Sequence, residues 1–186
     1  MRNDRANLQF CGFGGQGIVL SAVIFGTAAV TQAGLNAVQT QSYGSEARGG
    51  QCQAELILSE GPLNSPLADQ VDILVAMSQS ALDRYLDRLR SGGTLILDSE
   101  LVERPKRSDI KIIGVPATQT ASEIGPKIVA NMVMLGFLQQ ATGLISQDNL
   151  LEAIRSNVRP KFLEMDLEAA KRGIALAKDQ NVKVEV

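Results

Sequence analysis

Short apolar runs alternate along this chain with longer segments of helical period. That alternation predicts an α/β fold with a mostly parallel sheet flanked by helices, and further helices at the C-terminus. Residues 8–11 read as a short strand running into Gly12. Residues 15–33 read as a helix rich in Ala, Val and Ile, apolar on most sides and therefore buried, which Gly34 closes. A second strand is predicted at 36–41. Residues 51–59 alternate, Gln53 and Glu55 against Ala54, Leu56 and Leu58, as a half-exposed strand does. VDILVAM at 71–77 and TLIL at 94–97 suit strands of a parallel sheet buried on both faces. Between them 80–89 is helical, with Leu82, Leu86 and Leu89 on one face and Gly92-Gly93 as its close.

Residues 111–115 form another strand, ending at Pro116. Pro126 and Gly143 bracket an almost wholly apolar helix. Ser146 caps a short helix to about residue 156, and Pro160 opens the last one. There Leu163, Leu167, Ala170, Ile174 and Ala177 form one apolar seam, with Glu168 and Arg172 able to pair outside it. The seam is expected to pack on its own domain, the alternative being a partner subunit.

Composition narrows the chemistry. The chain has 186 residues, 45% hydrophobic and 20% charged, which fits one domain over 1–186 with C-terminal helices at about 146–179 packed on it. A chain of this size buries roughly 70% of its unfolded surface, so it folds without disulfides or metal. Eighteen Lys and Arg face 20 Asp and Glu, a net charge of −2, so the basic excess of a nucleic-acid binder is missing. There is no histidine, which excludes a Ser-His-Asp triad, His general-base chemistry and His-containing zinc sites. The two cysteines, Cys11 and Cys52, cannot supply the four ligands of an iron–sulfur cluster, so any cluster belongs to another chain. Low cysteine usage fits the reducing cytoplasm. The longest nearly apolar stretch, 18–30, contains Ser21, Gly26 and Thr27 and is shorter than the ~20 residues that span a bilayer. Following Arg2 and Arg5 it mimics a signal-peptide core, but the acidic Asp4 and the glycine-rich turn before it point to a buried helix of the mature fold.

Gly12-Phe13-Gly14-Gly15-Gln16-Gly17 fits G-x-G-x-x-G between a predicted strand and a predicted helix. Glycines admit close backbone approach, and a helix start offers open N–H groups to a phosphate. A nicotinamide dinucleotide also needs an Asp or Glu at the end of the second strand. This chain has Val38-Gln39-Thr40-Gln41-Ser42 there, no carboxylate before Glu46, and only Arg48 to serve an NADP variant. Two readings stay open: a site for the phosphate of some other ligand, and a turn that merely packs.

Ser42-Tyr43-Gly44-Ser45-Glu46-Ala47-Arg48-Gly49-Gly50 links two predicted strands. Loops after strands lie at the carboxyl edge of such a sheet, where ligands bind. Arg48 suits a phosphate or carboxylate, and Glu46 suits Arg48 itself or a partner's cation. Taken alone, the segment also reads as a polar surface loop with an internal ion pair of little energetic value.

Together, GFGGQG and SYGSEARGGQCQAELILS resemble the gamma subunit of the 2-oxoacid:ferredoxin (acceptor) oxidoreductases. The resemblance continues through 71–90, Gly92-Gly93-Thr94 and Asn131-Met132-Val133-Met134-Leu135-Gly136, leaving only the last helix generic. It implies a Rossmann-like domain that helps assemble a larger enzyme and is not catalytic alone. That enzyme oxidatively decarboxylates a 2-oxoacid with coenzyme A to acyl-CoA and CO₂, passing two electrons to ferredoxin or a similar acceptor. The resemblance further implies thiamine diphosphate mainly on alpha and beta subunits, iron–sulfur clusters on beta and a ferredoxin-like delta subunit, and an association of the gamma-type domain with coenzyme A binding. The compact separate chain looks most like the 2-oxoglutarate type. Gly12, Gly14, Gly15, Gln16 and Gly17 match the first family motif, and Tyr43, Gly44, Glu46, Arg48, Gly49 and Gly50 the second. The two loops are expected side by side, facing a partner or the nucleotide end of coenzyme A, with Arg48 and the Gly15–Gly17 amides as phosphate contacts. The competing reading is a stand-alone nicotinamide- or flavin-dependent oxidoreductase of Rossmann type.

Four further features have plainer readings. Asp98-Ser99-Glu100 should serve a turn or cap. Asn131, in an apolar helix, must bond something, with a loop backbone favoured over an interface. Arg104-Pro105-Lys106-Arg107 reads as a solvated loop, and Cys11 as a small buried hydrophobe.

Overall fold

The structure, a computed structural model, describes residues 5–31, 33–43, 50–63, 65 and 68–185. Its strands are β1 (Arg5–Phe13), β2 (Asn36–Tyr43), β3 (Gln51–Ser59), β4 (Val71–Ala76), β5 (Leu89–Asp98) and β6 (Lys111–Val115). Its helices are α1 (Ile18–Thr31), α2 (Gln79–Tyr85), α3 (Ala117–Ile124), α4 (Ala130–Thr142), α5 (Gln147–Asn157) and α6 (Leu163–Asp179). The described residues form one sheet in the order β2-β3-β1-β4-β5-β6. β1, β4, β5 and β6 pair in parallel; β3 runs antiparallel to both β1 and β2. This is the α/β architecture expected, with an antiparallel hairpin as its outer edge.

The period of two along each strand divides the apolar residues between two cores. Ile73 and Val75 of β4 face a large core shared with α1, α4, α5 and α6. Leu74 and Ala76 face a smaller one capped by Ala81 and Leu82 of α2. That double burial explains why 71–77 is apolar without alternation. β3 departs from the half-exposed expectation. Glu55 is only 6% exposed, because Arg88 reaches over the sheet and meets its Oε1 with Nη1 at 3.1 Å.

The predicted helix at 80–89 is shorter than expected. α2 ends at Tyr85, a 3-10 turn covers Leu86–Arg88, and Leu89 already begins β5. Gly92 and Gly93 lie inside β5, beside a register shift against β4, so they do not close a helix. A Cβ at Gly93 would sit 2.8 Å from Arg90 O and 3.0 Å from Asp72 O, which leaves glycine as the fit. The first helix starts at Ile18 instead of residue 15, because the turn before it still has positive φ. Ser146 caps α5 as expected, its Oγ accepting from Asn149 N at 3.1 Å.

The C-terminal seam packs on the same chain. α6 lies along α4, and a Cβ at Gly136 or at Gly173 would collide with the backbone carbonyl of Ala170 or of Val133. Glu168 and Arg172 pair outside the seam at 3.0 Å. No helix among the described residues is long and apolar enough to cross a membrane.

Candidate functional site at the carboxyl rim

β1 carries the first glycine segment to the carboxyl rim of the sheet. It stays paired with β3 to the end, Gly12 opposite Cys52 and Phe13 opposite Gln51. The chain then turns through Gly14 and Gly15, and Gln16 N–H donates to Phe13 O at 3.2 Å. Gly15 has φ +95° and Gly17 φ +75°, a region that disfavours any side chain.

Neighbours hold this turn from several sides. Gly14 N–H donates to Gly50 O at 3.0 Å, joining the first glycine segment to the end of the second. Gln16 Oε1 accepts from Phe13 N at 2.6 Å, and its Nε2 donates to Met77 O, at the end of β4, at 2.8 Å. Asn131, 3% exposed in the first turn of α4, points its Nδ2 at Gly17 O, 3.5 Å away. A Cβ on Gly17 would run into that carboxamide. The expected backbone partner of Asn131 is thus the loop itself.

What the turn leaves over is a set of donors. Gly17 O accepts from Ser21 N at 2.9 Å and from Ser21 Oγ at 3.0 Å, so Ser21 is the first residue of α1 whose N–H is satisfied within the helix start. The N–H groups of Ile18, Val19 and Leu20 have no acceptor within the helix. Among the described residues those of Gly15 and Gly17 have none either. The Gln16 amide, expected with them as a phosphate donor, is instead spent on Phe13 O. Open amides at the positive end of a helix make a place for an oxyanion.

The second glycine segment is only partly in view. Tyr43 ends β2 opposite Cys52, and Gly50 stands beside Gly14. Gly44, Glu46, Arg48 and Gly49 lie outside the described residues, so the expected phosphate contact of Arg48 does too. Sequence reasoning missed a cation that is described here: exposed Arg84 of α2, whose Nη1 donates to Gln51 Oε1 at 3.2 Å. Gln51 Nε2 in turn donates to Ser80 O at 3.0 Å, fastening the start of β3 to α2. No local signal marks Arg84, since only the strand order brings it to this rim.

The sequence and the fold have counterparts. The pyruvate ferredoxin/flavodoxin oxidoreductase family matches residues 7–176. The chain belongs to that family. It is 45% identical over 176 residues to the 2-oxoglutarate synthase subunit KorC of Methanothermobacter thermautotrophicus, covering 91% of this chain and 93% of that one. The gamma subunit of a keto/oxoacid ferredoxin oxidoreductase from Geobacter sulfurreducens superposes with TM-score 0.83 at 37% identity, over 94% of this chain and 99% of that one. A 2-oxoglutarate:ferredoxin oxidoreductase from Magnetococcus marinus, solved with 2-oxoglutarate, coenzyme A and succinyl-CoA bound, superposes with TM-score 0.86 at 26% identity. That match covers 96% of this chain and 32% of the longer one.

Within this oxidoreductase family the stand-alone dinucleotide reading loses its footing on strand order. The strand beside β1 where a dinucleotide fold needs a parallel neighbour is the antiparallel β3. It presents Gln51 and Cys52 at the rim, and no carboxylate for a ribose. Cys11 and Cys52 face opposite sides of the sheet, because Cys11 is paired with Gln53 and Cys52 with Gly12. They cannot share a cluster.

The remaining polar residues serve the scaffold. Asp98, fully buried, accepts from Glu100 N at 3.1 Å, and from Thr118 N at 3.1 Å and Thr118 Oγ1 at 2.6 Å, so it forms a turn and caps α3. Arg107 is less idle than a solvated loop implies: its Nη1 donates to Leu86 O and Leu89 O, and its Nη2 meets Asp109 at 2.6 Å. Cys11 is buried, and burial pushes its thiol up to about 12.

Proposed function

We propose that this chain is the gamma subunit of a 2-oxoacid:ferredoxin oxidoreductase acting on 2-oxoglutarate, and that its carboxyl rim receives an anionic end of coenzyme A at the junction with partner subunits. The enzyme as a whole performs oxidative decarboxylation. The 2-oxoacid and coenzyme A become acyl-CoA and CO₂, and two electrons leave to ferredoxin. Alpha and beta chains carry thiamine diphosphate, and beta with a ferredoxin-like delta chain carries the iron–sulfur clusters. This chain, read as one domain over residues 1–186 in the cytoplasm, contributes assembly and a share of the coenzyme A site. The similarity to KorC along nearly the whole of both chains supports the choice of 2-oxoglutarate.

One observation carries the anion-receiving role: the Gly14–Gly50 hydrogen bond, which joins two glycine segments while, among the described residues, the Gly15, Gly17 and first-turn α1 amides have no acceptor. Such a cradle recognises a phosphate without a formal charge of its own, and Arg48 would add one.

The test is reconstitution. The chain alone should show no 2-oxoacid oxidation, and the enzyme lacking it should fail to turn over 2-oxoglutarate. Restoring the chain should restore coenzyme A-dependent reduction of ferredoxin, with 2-oxoglutarate preferred over pyruvate and 3-methyl-2-oxobutanoate. Arg48→Glu should raise the KM for coenzyme A and leave that for 2-oxoglutarate within about twofold. An unchanged coenzyme A KM in a normally assembled enzyme removes Arg48 from the site.

A further inference from the structure

We propose that Gln16 is a positioning residue: its side chain touches no ligand and instead acts as a strut that fixes the direction of the open loop amides, a role that rests on the coenzyme A reading above. The glycine segment would otherwise be the softest part of the rim. Glycines at 12, 14, 15 and 17 leave the backbone many conformations, and an anion site of amides works only when those amides already converge.

The Gln16 carboxamide removes that freedom by bonding in two directions. Its oxygen accepts from Phe13 N at 2.6 Å and closes the turn on itself. Its nitrogen donates to Met77 O at 2.8 Å and ties the turn to the end of β4. Met77 N–H donates to Cys11 O at 2.9 Å, so the strut lands on a residue locked to β1. Both bonds require an acceptor and a donor on one side chain of this length. Asn is one methylene short, Glu at neutral pH has no donor, and Met has neither group.

The packing agrees. A Cβ on Gly12 would lie 2.5 Å from Gln16 Oε1 and 2.7 Å from Ile18 Cδ1, so the side chain lies folded back against the strand. The Gln16 carboxamide is engaged with backbone on both sides and its own N–H is spent on Phe13 O, whereas among the described residues the Gly15 and Gly17 amides have no acceptor. A motif residue that looks like a ligand contact in the sequence is the brace behind the contacts.

The experiment compares Gln16→Met, Gln16→Glu and Gly15→Ala in the fully assembled enzyme, with coenzyme A and 2-oxoglutarate varied separately. Gly15 has open space around its missing Cβ but φ +95°, so Gly15→Ala perturbs the amides directly. Gln16→Met should raise the KM for coenzyme A about tenfold or more, while kcat and the KM for 2-oxoglutarate stay within about twofold. Gln16→Glu, which keeps the acceptor for Phe13 and so the turn, should shift it in the same direction. It provides the reading if Gln16→Met does not assemble. A merely structural residue would lower the yield of assembled enzyme without this split between the two substrates. If Gly15→Ala raises the coenzyme A KM and neither Gln16 variant does, the strut is wrong and the coenzyme A reading survives. If none of the three moves it, the coenzyme A reading itself falls and takes the strut with it.

Discussion

Glycine does two different jobs in this molecule, at the rim loop and at the crossing of α4 with α6. At the crossing, Gly136 and Gly173 sit in ordinary helical backbone, and what matters is the missing Cβ: each lies against a carbonyl of the opposite helix. At the rim, Gly15 has nothing within 4 Å of where a Cβ would be, and what matters is φ +95°. Gly17 combines both demands, with φ +75° and the Asn131 carboxamide overhead. The crossing uses glycine to bring two backbones together. The loop uses it to turn through a backbone conformation that side chains disfavour. One set should govern stability, the other binding.

The strongest way to break that comparison is Gly136→Ala. Its new methyl has to displace the Ala170 carbonyl, and backbone of a packed helix yields poorly, so a loss of about 3 kcal/mol is expected. Denaturant unfolding of the chain reads it directly. Enzyme that still assembles should keep its coenzyme A KM, because the new methyl meets Ala170 of α6 and no residue of the loop. An unchanged midpoint means that the helices are not in backbone contact there. Gly17→Ala is the intermediate case. The positive φ and the Asn131 clash together should cost about 1–3 kcal/mol, with a raised coenzyme A KM in addition. Restoring stability with Asn131→Ala in the Gly17→Ala background, without restoring the KM, would separate the steric demand from the conformational one.

The same contrast explains what the sequence could disclose. β4 and the core of β5 were legible because burial on both faces leaves an apolar run with one reading. The glycine-rich turn was legible because positive φ selects glycine and leaves a spaced pattern. α3 was missed. Its first turn is capped by Asp98, twenty residues upstream, so no cap stands beside it in the chain. Gly92 and Gly93 read as a helix end because the positive φ of the one looks like a helix close and the Asp72 carbonyl against the other comes from another strand. The strand order itself, with β3 antiparallel beside β1, is a tertiary choice that no periodicity encodes. In the site, the residues of the first loop were visible, but their fastenings were not. Met77 O and Gly50 O are backbone carbonyls, and any residue type supplies one.

The effect that is smallest near neutral pH probes whether the base of the loop is as dry as the helix crossing. Cys11 lies on β1 just before the glycine segment, fully buried against the α2 side of the sheet. Burial alone raises its thiol from 9.0 to about 12. The folded protein therefore holds this proton more tightly than the unfolded chain does. Below pH 9 both states keep it, and Cys11 gives stability no slope. Between 9 and about 12 the unfolded chain ionises first, so each pH unit should take about 1.4 kcal/mol from stability. Burial raises Cys52 and Tyr85 in the same direction, so the informative quantity is the difference between wild type and Cys11→Ala. The variant should show the shallower alkaline loss, and the native thiol should resist alkylation at pH 8 until the chain unfolds. Rapid labelling of folded protein would mean that water reaches the floor beneath the turn. The loop would then rest on a softer base than the α4–α6 crossing, and its amides would owe their direction to Gln16 and Asn131 alone.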